Sequence, residues 1–462
     1  MGRLRPHRLG SLVLVSLLLV TASVASAGSV DDLHLSLETE PRPPQVQRLR
    51  QRPKPLIEWG ERFNAPGRLS KGLKLPGGAV WRPQLLVFGT LRSALQSLEG
   101  PVEISEWITR LDLHAQLRLS GTERLLVSLR PLNDDTQHSG YFFSGDTGWQ
   151  EQMNSQLRAL FFEGDFGELL PVLDRSDRRP IDLGFSVGRQ PLALQEGMLL
   201  DDLVDSLGVS KNSLRPRGSS NLRLLGLWAW GGLDRRVPGG SARRLDEGAQ
   251  LFGLSAALDL PVSTFEIDAV HVESELPGAS GNWLGVSATQ RLGRTASTFR
   301  VVLSEPTEGE GLVGRGRVLT SELSWTPRRN EDIVYFNAFA VDGRFSSAAR
   351  DAERGGPLGR MGILFEAPGI GRLPMSLSAD ATEVWGGAFG WQHFMKHGRR
   401  QFVLEGAGRR STRGTHAAEA GVGLRFQQAL LNRFLVQLDA FAAVEKGLAP
   451  RYGGRLEFQV KF

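Results

Sequence analysis

From Ala79 to the C-terminus the chain is a succession of short segments in which apolar and polar residues alternate. The clearest is Ile108–Leu119. Leu111, Leu113, Ala115, Leu117 and Leu119 fall on one side of the alternation, and Arg110, Asp112, His114, Gln116 and Arg118 on the other. Successive side chains of a strand point to opposite faces, so the segment predicts a strand with one apolar and one ionisable or polar face. Its length of roughly ten residues is what a tilted strand needs to cross a bilayer. The pattern recurs. Phe299, Val301 and Leu303 stand opposite Thr298 and Arg300, and Leu319, Leu323 and Trp325 opposite Thr320, Glu322 and Ser324. Val422, Leu424 and Phe426 oppose Arg425 and Gln427, and Phe434, Val436 and Leu438 oppose Gln437 and Asp439. Turn signals such as Gly121-Thr122-Glu123, Leu292-Gly293-Arg294-Thr295 and Lys396-His397-Gly398 separate neighbours. Many strands so spaced predict a sandwich or a barrel.

The two ends narrow the choice. Arg3, Arg5 and Arg8, the apolar run Ser11–Thr21 and Ala25-Ser26-Ala27 read as a secretory signal peptide over residues 1–27. Residues 28–78, with Pro41, Pro43, Pro44, Pro53, Pro55 and Pro66, show no period of two and read as a Pro-rich periplasmic N-terminal arm, a candidate contact for a periplasmic partner. At the other end, Leu456, Phe458, Val460 and Phe462 alternate with Arg455, Glu457, Gln459 and Lys461. A final strand closing on Phe resembles the C-terminal signature of bacterial outer-membrane barrels. That resemblance implies that the barrel-assembly machinery reads Phe462, and that the protein lies in a Gram-negative outer membrane among its lipids and lipopolysaccharide. The fold expected is therefore all-β, with residues 79–462 forming a transmembrane antiparallel β-barrel of about 18 strands (16–20).

With Phe462 in the periplasm, strands near 453–462, 416–428 and 384–396 run inward, and those near 430–445 and 399–410 run outward. Short connections such as Pro327–Asn330 then fall in the periplasm, and Gly232–Gly248 and Glu305–Gly314 outside. Segments 139–145, 358–366 and 372–380 read as weak strands. Pro191–Asn221 reads as strand-free: Leu199, Leu200, Leu203, Val204 and Leu207 have helical spacing, which suits a periplasmic helix, plug or packed loop. Trp228, Trp230, Trp283, Trp325, Trp385 and Trp391 are placed as interfacial girdle residues.

Composition agrees. Hydrophobic residues are 40% and Gly 55 of 462, which suits strands with one wet face and turns that need Gly. The absence of Cys excludes disulfides, thiolate metal sites and thiol nucleophiles. The net charge of +5 comes without a basic run interleaved with aromatics, which argues against nucleic acid. Glu308-Gly309-Glu310 lacks the ligand density of a calcium loop, and no phosphate-binding or dinucleotide fingerprint follows a strand, so no cofactor is expected.

On the polar faces, Arg110, Arg118, Arg223, Arg300, Arg425, Arg455 and Lys461 outnumber Asp112, Glu322, Asp439 and Glu457. In a narrow, low-dielectric lumen such an excess favours anions, whereas paired Arg and carboxylates would instead stiffen the wall. With His114 these are the pore-lining candidates. Asp182–Gln190, DLGFSVGRQ, resembles the strand of alginate-export-type porins that ends in Gly-Arg-Gln. That likeness implies a monomeric barrel whose Arg-rich pore passes an anionic polysaccharide, and it adds Arg189 to the candidates. After the triplet the chain departs from the family, running Pro191-Leu192-Ala193-Leu194 and then Asp201-Asp202. The expected function is an outer-membrane channel with a mildly anion-favouring lumen and acidic saccharides as candidate solutes. The alternatives are a structural or partner-binding barrel of an envelope complex, and a lipid hydrolase at the rim using Ser with His. His114, His271, His393 and His416 show no Ser/His/acid spacing, so an enzyme is not expected.

Overall fold

The computed structural model describes residues 53–61, 69–134, 136–173, 181–237, 243–327, 331–414 and 417–462. All belong to one compact unit, Gln51–Phe462. Residues 1–27, read above as a signal peptide, much of the expected N-terminal arm, residues 328–330 and His416 lie outside the described residues.

The wall begins with β1 (Gln84–Glu99), β2 (Ile104–Arg118), β3 (Arg124–Leu129), β4 (Leu157–Asp165), β5 (Gly184–Leu194) and β6 (Leu200–Leu214). It continues with β7 (Asn221–Trp230), β8 (Gln250–Asp259), β9 (Ser263–Glu273), β10 (Gly281–Leu292), β11 (Thr295–Pro306) and β12 (Gly316–Trp325). It ends with β13 (Ile333–Gly343), β14 (Val384–Met395), β15 (Arg400–Ser411), β16 (Glu419–Leu430), β17 (Phe434–Glu445) and β18 (Arg451–Lys461). Each strand pairs antiparallel with the next, and β18 returns to β1 from Tyr452↔Glu99 to Lys461↔Thr90, closing an 18-stranded barrel. Closure leaves no strand edge in the bilayer, where an unpaired backbone group has no water to meet it. Below the end of β18, where Phe462 exchanges backbone hydrogen bonds with Gly89 (2.8 and 3.1 Å), the short strand Ile57–Gly60 pairs with Gln84–Val87 and prolongs the seam.

Alternation sorts the faces as expected. Leu91, Leu95, Phe265, Ile267, Val286, Phe299, Val301, Leu319, Phe389 and Phe458 are exposed on the outside, with their polar neighbours turned in. Most connections at the Phe462 end are short, the exception being 166–183 between β4 and β5. Gly293 takes φ +62°, the left-handed setting that a two-residue hairpin turn requires. The long connections 130–156, 231–249 and 344–383 lie at the opposite end, which is the external side of an outer-membrane barrel.

Three expectations are corrected, and one weak strand is placed off the wall. Pro191–Asn221 is not strand-free: its first four residues end β5 and Leu200–Leu214 is β6, which forms an external-side hairpin with β5. Leu200 and Val204 face inward onto apolar partners while Leu203 and Leu207 face lipid, so a strand with apolar residues on both faces mimics helical spacing. Segments 358–366 and 372–380 are not strands but parts of an inward-folded connection. The weak strand near 139–145 is Gln137–Phe142, which pairs with the outer end of β2 above the wall. Trp283 is not a girdle residue: it is buried inside and donates to the Ser346 carbonyl (2.7 Å), whereas Trp228, Trp325, Trp385 and Trp391 are exposed outside.

Candidate functional site

The lumen is occupied by the chain itself. Segment 344–383, between β13 and β14, folds into the external half of the barrel. Its Phe345, Leu358, Met361, Leu364, Phe365 and Leu377 bury against Val270, Trp283, Val302, Val318, Phe339 and Val341 of β9–β13. Met198 and Leu199, in the turn joining β5 to β6, enter the same cluster. Full burial of such a side chain contributes about 1.5–3 kcal/mol, so this sector is a dry core where the sequence pointed to a wet channel.

On the other side the segment is pinned by polar groups. Glu353 accepts from Arg110 (3.2 Å) and Arg130 (2.6 Å), and both arginines also reach Asp112 (2.9 and 2.8 Å). Glu366 accepts from Arg425 (2.8 Å), which shares Asp439 with Arg455; Arg455 and Arg92 meet Glu457. Arg360 pairs with Glu322 (2.8 Å) and with Glu196, the same two carboxylates that Arg300 reaches. Backbone groups add further pins. Glu405 accepts the N–H groups of Ile363 (3.0 Å) and Leu364 (2.9 Å) and the Tyr335 hydroxyl. Glu106 accepts the N–H and Nε of Arg372 (2.6 and 2.7 Å), and Arg110 donates to the Gly369 carbonyl (2.6 Å). Arg350 ties the two inward segments together, donating to the carbonyls of Gly197 (2.6 Å) and Gly355 (2.8 Å). Burial pushes its guanidinium down to about 10, with Asp201 opposing the shift.

The predicted pore residues therefore divide. Arg110, Asp112, Arg300, Glu322, Arg425, Asp439 and Arg455 face inward as expected, but as partners in these three clusters. Within them Arg92, Arg110, Arg130, Arg300, Arg360, Arg425 and Arg455 meet as many carboxylates, because Glu196, Glu353 and Glu366 arrive from the inward segments. The excess of positive charge seen along the strands is neutralised there. Arg118 lies inside at the periplasmic end, opposite Arg124. Arg223 is also inside near that end, 3.4 Å from Asp259. Arg189 is misplaced by the sequence reading: it faces outward with Val187 and lies 3.6 Å from Asp205, while Gln190 turns inward to Ser206. Asp205 stands opposite Trp230 on the ladder, so the pair sits at the level of the external aromatic belt.

The histidines are engaged in other ways. His114 meets Ser128 in the lumen (2.7 Å), but the neighbouring Asp112 is committed to Arg110 and Arg130. His393 pairs with Asp332 (2.8 Å). His271 meets Asn282 on the outer rim (2.9 Å), and its same-face neighbours along β9, Ala269 and Glu273, carry no hydroxyl.

Above the plug lies a cavity of about 690 Å³. Its charged lining is Arg236, Arg243, Arg350, His138, Asp351 and Glu353, with Pro368, Gly369 and Met375 along one side. Arg236 and Arg243 are steadied by Asp380 (3.4 Å) and Asp234 (2.6 Å). Asp351 is held by Arg158 (2.8 Å).

No family model matches the chain, and no curated protein does. Solved structures do. Acinetobacter baumannii OccAB3 aligns with TM-score 0.56 and 12% identity, covering 82% of this chain and 99% of that one. Pseudomonas aeruginosa OccK11 (OpdR) gives 0.55 and 11%, covering 82% and 96%. Both are Gram-negative outer-membrane porins of the Occ/Opd group. What is shared is the fold. Pseudomonas aeruginosa OpdK, solved with vanillate, aligns at 0.52 and 12%, over 81% and 98%. The likeness to alginate-export-type porins that the Gly-Arg-Gln triplet implied finds no support in these comparisons. The closed barrel with its apolar outer belt is an outer-membrane protein.

Proposed function

We propose that the protein is an outer-membrane channel for small anionic solutes, acidic sugars or carboxylates, closed in the conformation described by its own segment 344–383. The observation that carries this is the size of the wall against what fills it. Barrels of 16–18 strands are too wide to be filled by wall side chains and leave an aqueous channel. Here a separate stretch of chain closes the space, and its polar side is held at discrete ionic points that can release. The cavity above it, at about 690 Å³, suits a small molecule better than a polysaccharide chain, and its charged lining is weighted toward Arg. That a fold neighbour was solved with vanillate, a carboxylate, is in keeping with this. The reading includes transport without chemistry, since the outer-rim His271–Asn282 pair lacks a nucleophile beside it. It also keeps Phe462 as the assembly signal and residues 28–78 as the contact for a periplasmic partner.

Planar-bilayer recording under a salt gradient tests it. The wild type is expected to open intermittently with a reversal potential on the anion side, and deletion of residues 352–374 to enlarge the conductance. Cation preference, or silence even after the deletion, refutes the channel. The dry core on β9–β13 favours one competing reading, a structural or partner-binding barrel. A silent wild type that conducts only after the deletion, and co-purifies with a stoichiometric partner, supports that reading instead.

A further inference from the structure

The membrane-facing surface carries a second concavity. Across β6–β11 a hollow of about 820 Å³ opens outward. Leu254, 69% exposed, projects between two small residues that stand opposite it on the neighbouring strands, Gly226 and Ala269. A Cβ on Gly226 would find nothing nearer than Leu254 Cδ2 at 4.0 Å, so the missing side chain leaves open space. Trp228, Leu284 and Leu303 wall the hollow. Towards the external end the apolar lining stops. His271, Asn282 and Glu305 form a polar row on successive strands. Glu305 receives Arg315 (2.6 Å), and Asp342 receives Arg317 (3.0 Å), which stands opposite Leu303 on the ladder. The two guanidinium side chains are 65% and 69% exposed and point outward at the membrane edge.

A long apolar hollow that ends at exposed arginines, on a surface that faces the outer leaflet, matches an amphiphile with acyl chains and an anionic headgroup. We propose that this surface binds the phosphorylated, acylated glycolipid of the outer leaflet, with an acyl chain beside Leu254 and a phosphate against Arg315 and Arg317. A guanidinium carries five N–H donors in a fixed fork that matches phosphate geometry. Glu305 and Asp342 occupy part of each fork and hold it outward, leaving donors for the lipid. Arginine is costly against hydrocarbon at mid-membrane depth and far less so at the interface, which is where these two stand.

The test is native mass spectrometry of the full-length protein in detergent, titrated with bis-phosphorylated lipid A. Dephosphorylated lipid A and a zwitterionic phospholipid of equal chain length serve as comparators. Two variants separate the halves of the site: R315Q/R317Q for the headgroup, and Gly226→Leu for the hollow. The phosphorylated lipid is expected to bind at least about tenfold more tightly than either comparator, and each variant to lose about tenfold. Heat-modifiable gel mobility certifies that each variant is folded. Equal binding of the three lipids, or unchanged binding in either folded variant, overturns the proposal, as does a protein dimer in place of a lipid adduct.

Discussion

Replacing Glu353 with alanine removes two charge-assisted hydrogen bonds from the plug at once. The Glu353 side chain is only 10% exposed between Arg110 and Arg130. Hydrogen bonds to charged groups contribute roughly 1.5–3 kcal/mol each, and breaking a buried ion pair costs about 3–5 kcal/mol because it strands the opposite charge. Arg110 and Arg130 keep Asp112, which places the loss at the lower end, about 3 kcal/mol. The loss falls on the docked state, since in a released segment the carboxylate is solvated and its partners no longer matter. At about 1.4 kcal/mol per decade the open population rises on the order of 100-fold. Single-channel recording in planar bilayers at fixed voltage reads this as open probability. Glu353→Gln, which keeps an acceptor but not the charge, is expected between wild type and alanine. A double-mutant cycle with Arg130→Ala isolates the pair. A folded Glu353→Ala barrel whose open probability and conductance equal those of the wild type refutes the idea that this pin holds the plug.

Acid gives an independent handle. Burial works against the Asp351 carboxylate, but Arg158 and the Glu353 N–H hold its pKa below the ordinary value. A depressed carboxylate contributes stability that is complete above its unfolded pKa of about 3.9 and is lost as pH falls through the folded one. Open probability is therefore flat from neutrality to about pH 5 and rises below about pH 4, and Asp351→Asn weakens that response; a rise confined to pH 6–7 contradicts it. Val301→Arg places a charge on the lipid face of β11 and is expected to cost about 2–4 kcal/mol in urea-titrated folding into vesicles, the midplane range. Arg189→Ala leaves reversal potential and conductance unchanged, because the side chain lies outside the barrel; a shift in either contradicts the register of β5 and β6.

The wall was legible because it obeys strict alternation. The segment Ile108–Leu119 emerges as β2, and parity alone turned Arg110, Asp112, Arg300, Glu322, Arg425, Asp439 and Arg455 inward. Arg92 carried the same signal, standing opposite Leu91 and Leu95 in polarity. Parity fails where the two sides of a strand do not differ in polarity in the usual way. β6 carries leucine or valine on both faces, Leu200 and Val204 inside and Leu203 and Leu207 outside, because its inner face meets the plug. Arg189 and Asp205 are polar on the outer face because they lie level with Trp230 at the membrane surface. The plug itself had no local signature. Leu358, Met361 and Phe365 are buried by wall residues far away in sequence, and Glu353 and Glu366 find their arginines across the barrel, so the apparent excess of positive charge was a consequence of reading strands without the segment that neutralises them.

The position of segment 344–383 in the chain also orders assembly. Its apolar partners on β9–β13 are synthesised before it, as are Arg110, Arg130, Arg158, Glu106, Glu196 and Glu322, whereas Glu405 on β15, Arg425 on β16 and Arg455 on β18 follow. The nascent wall from β6 to β13 therefore offers greasy surfaces to both sides, towards lipid and towards a lumen that is still empty. Segment 344–383 can settle on that half-cylinder before β18 meets β1, without first passing the closed rim. Its length of dwell in the unclosed state sets how long this sector needs shielding by a periplasmic holdase, and the late strands then act as the clasp that fixes the core in place.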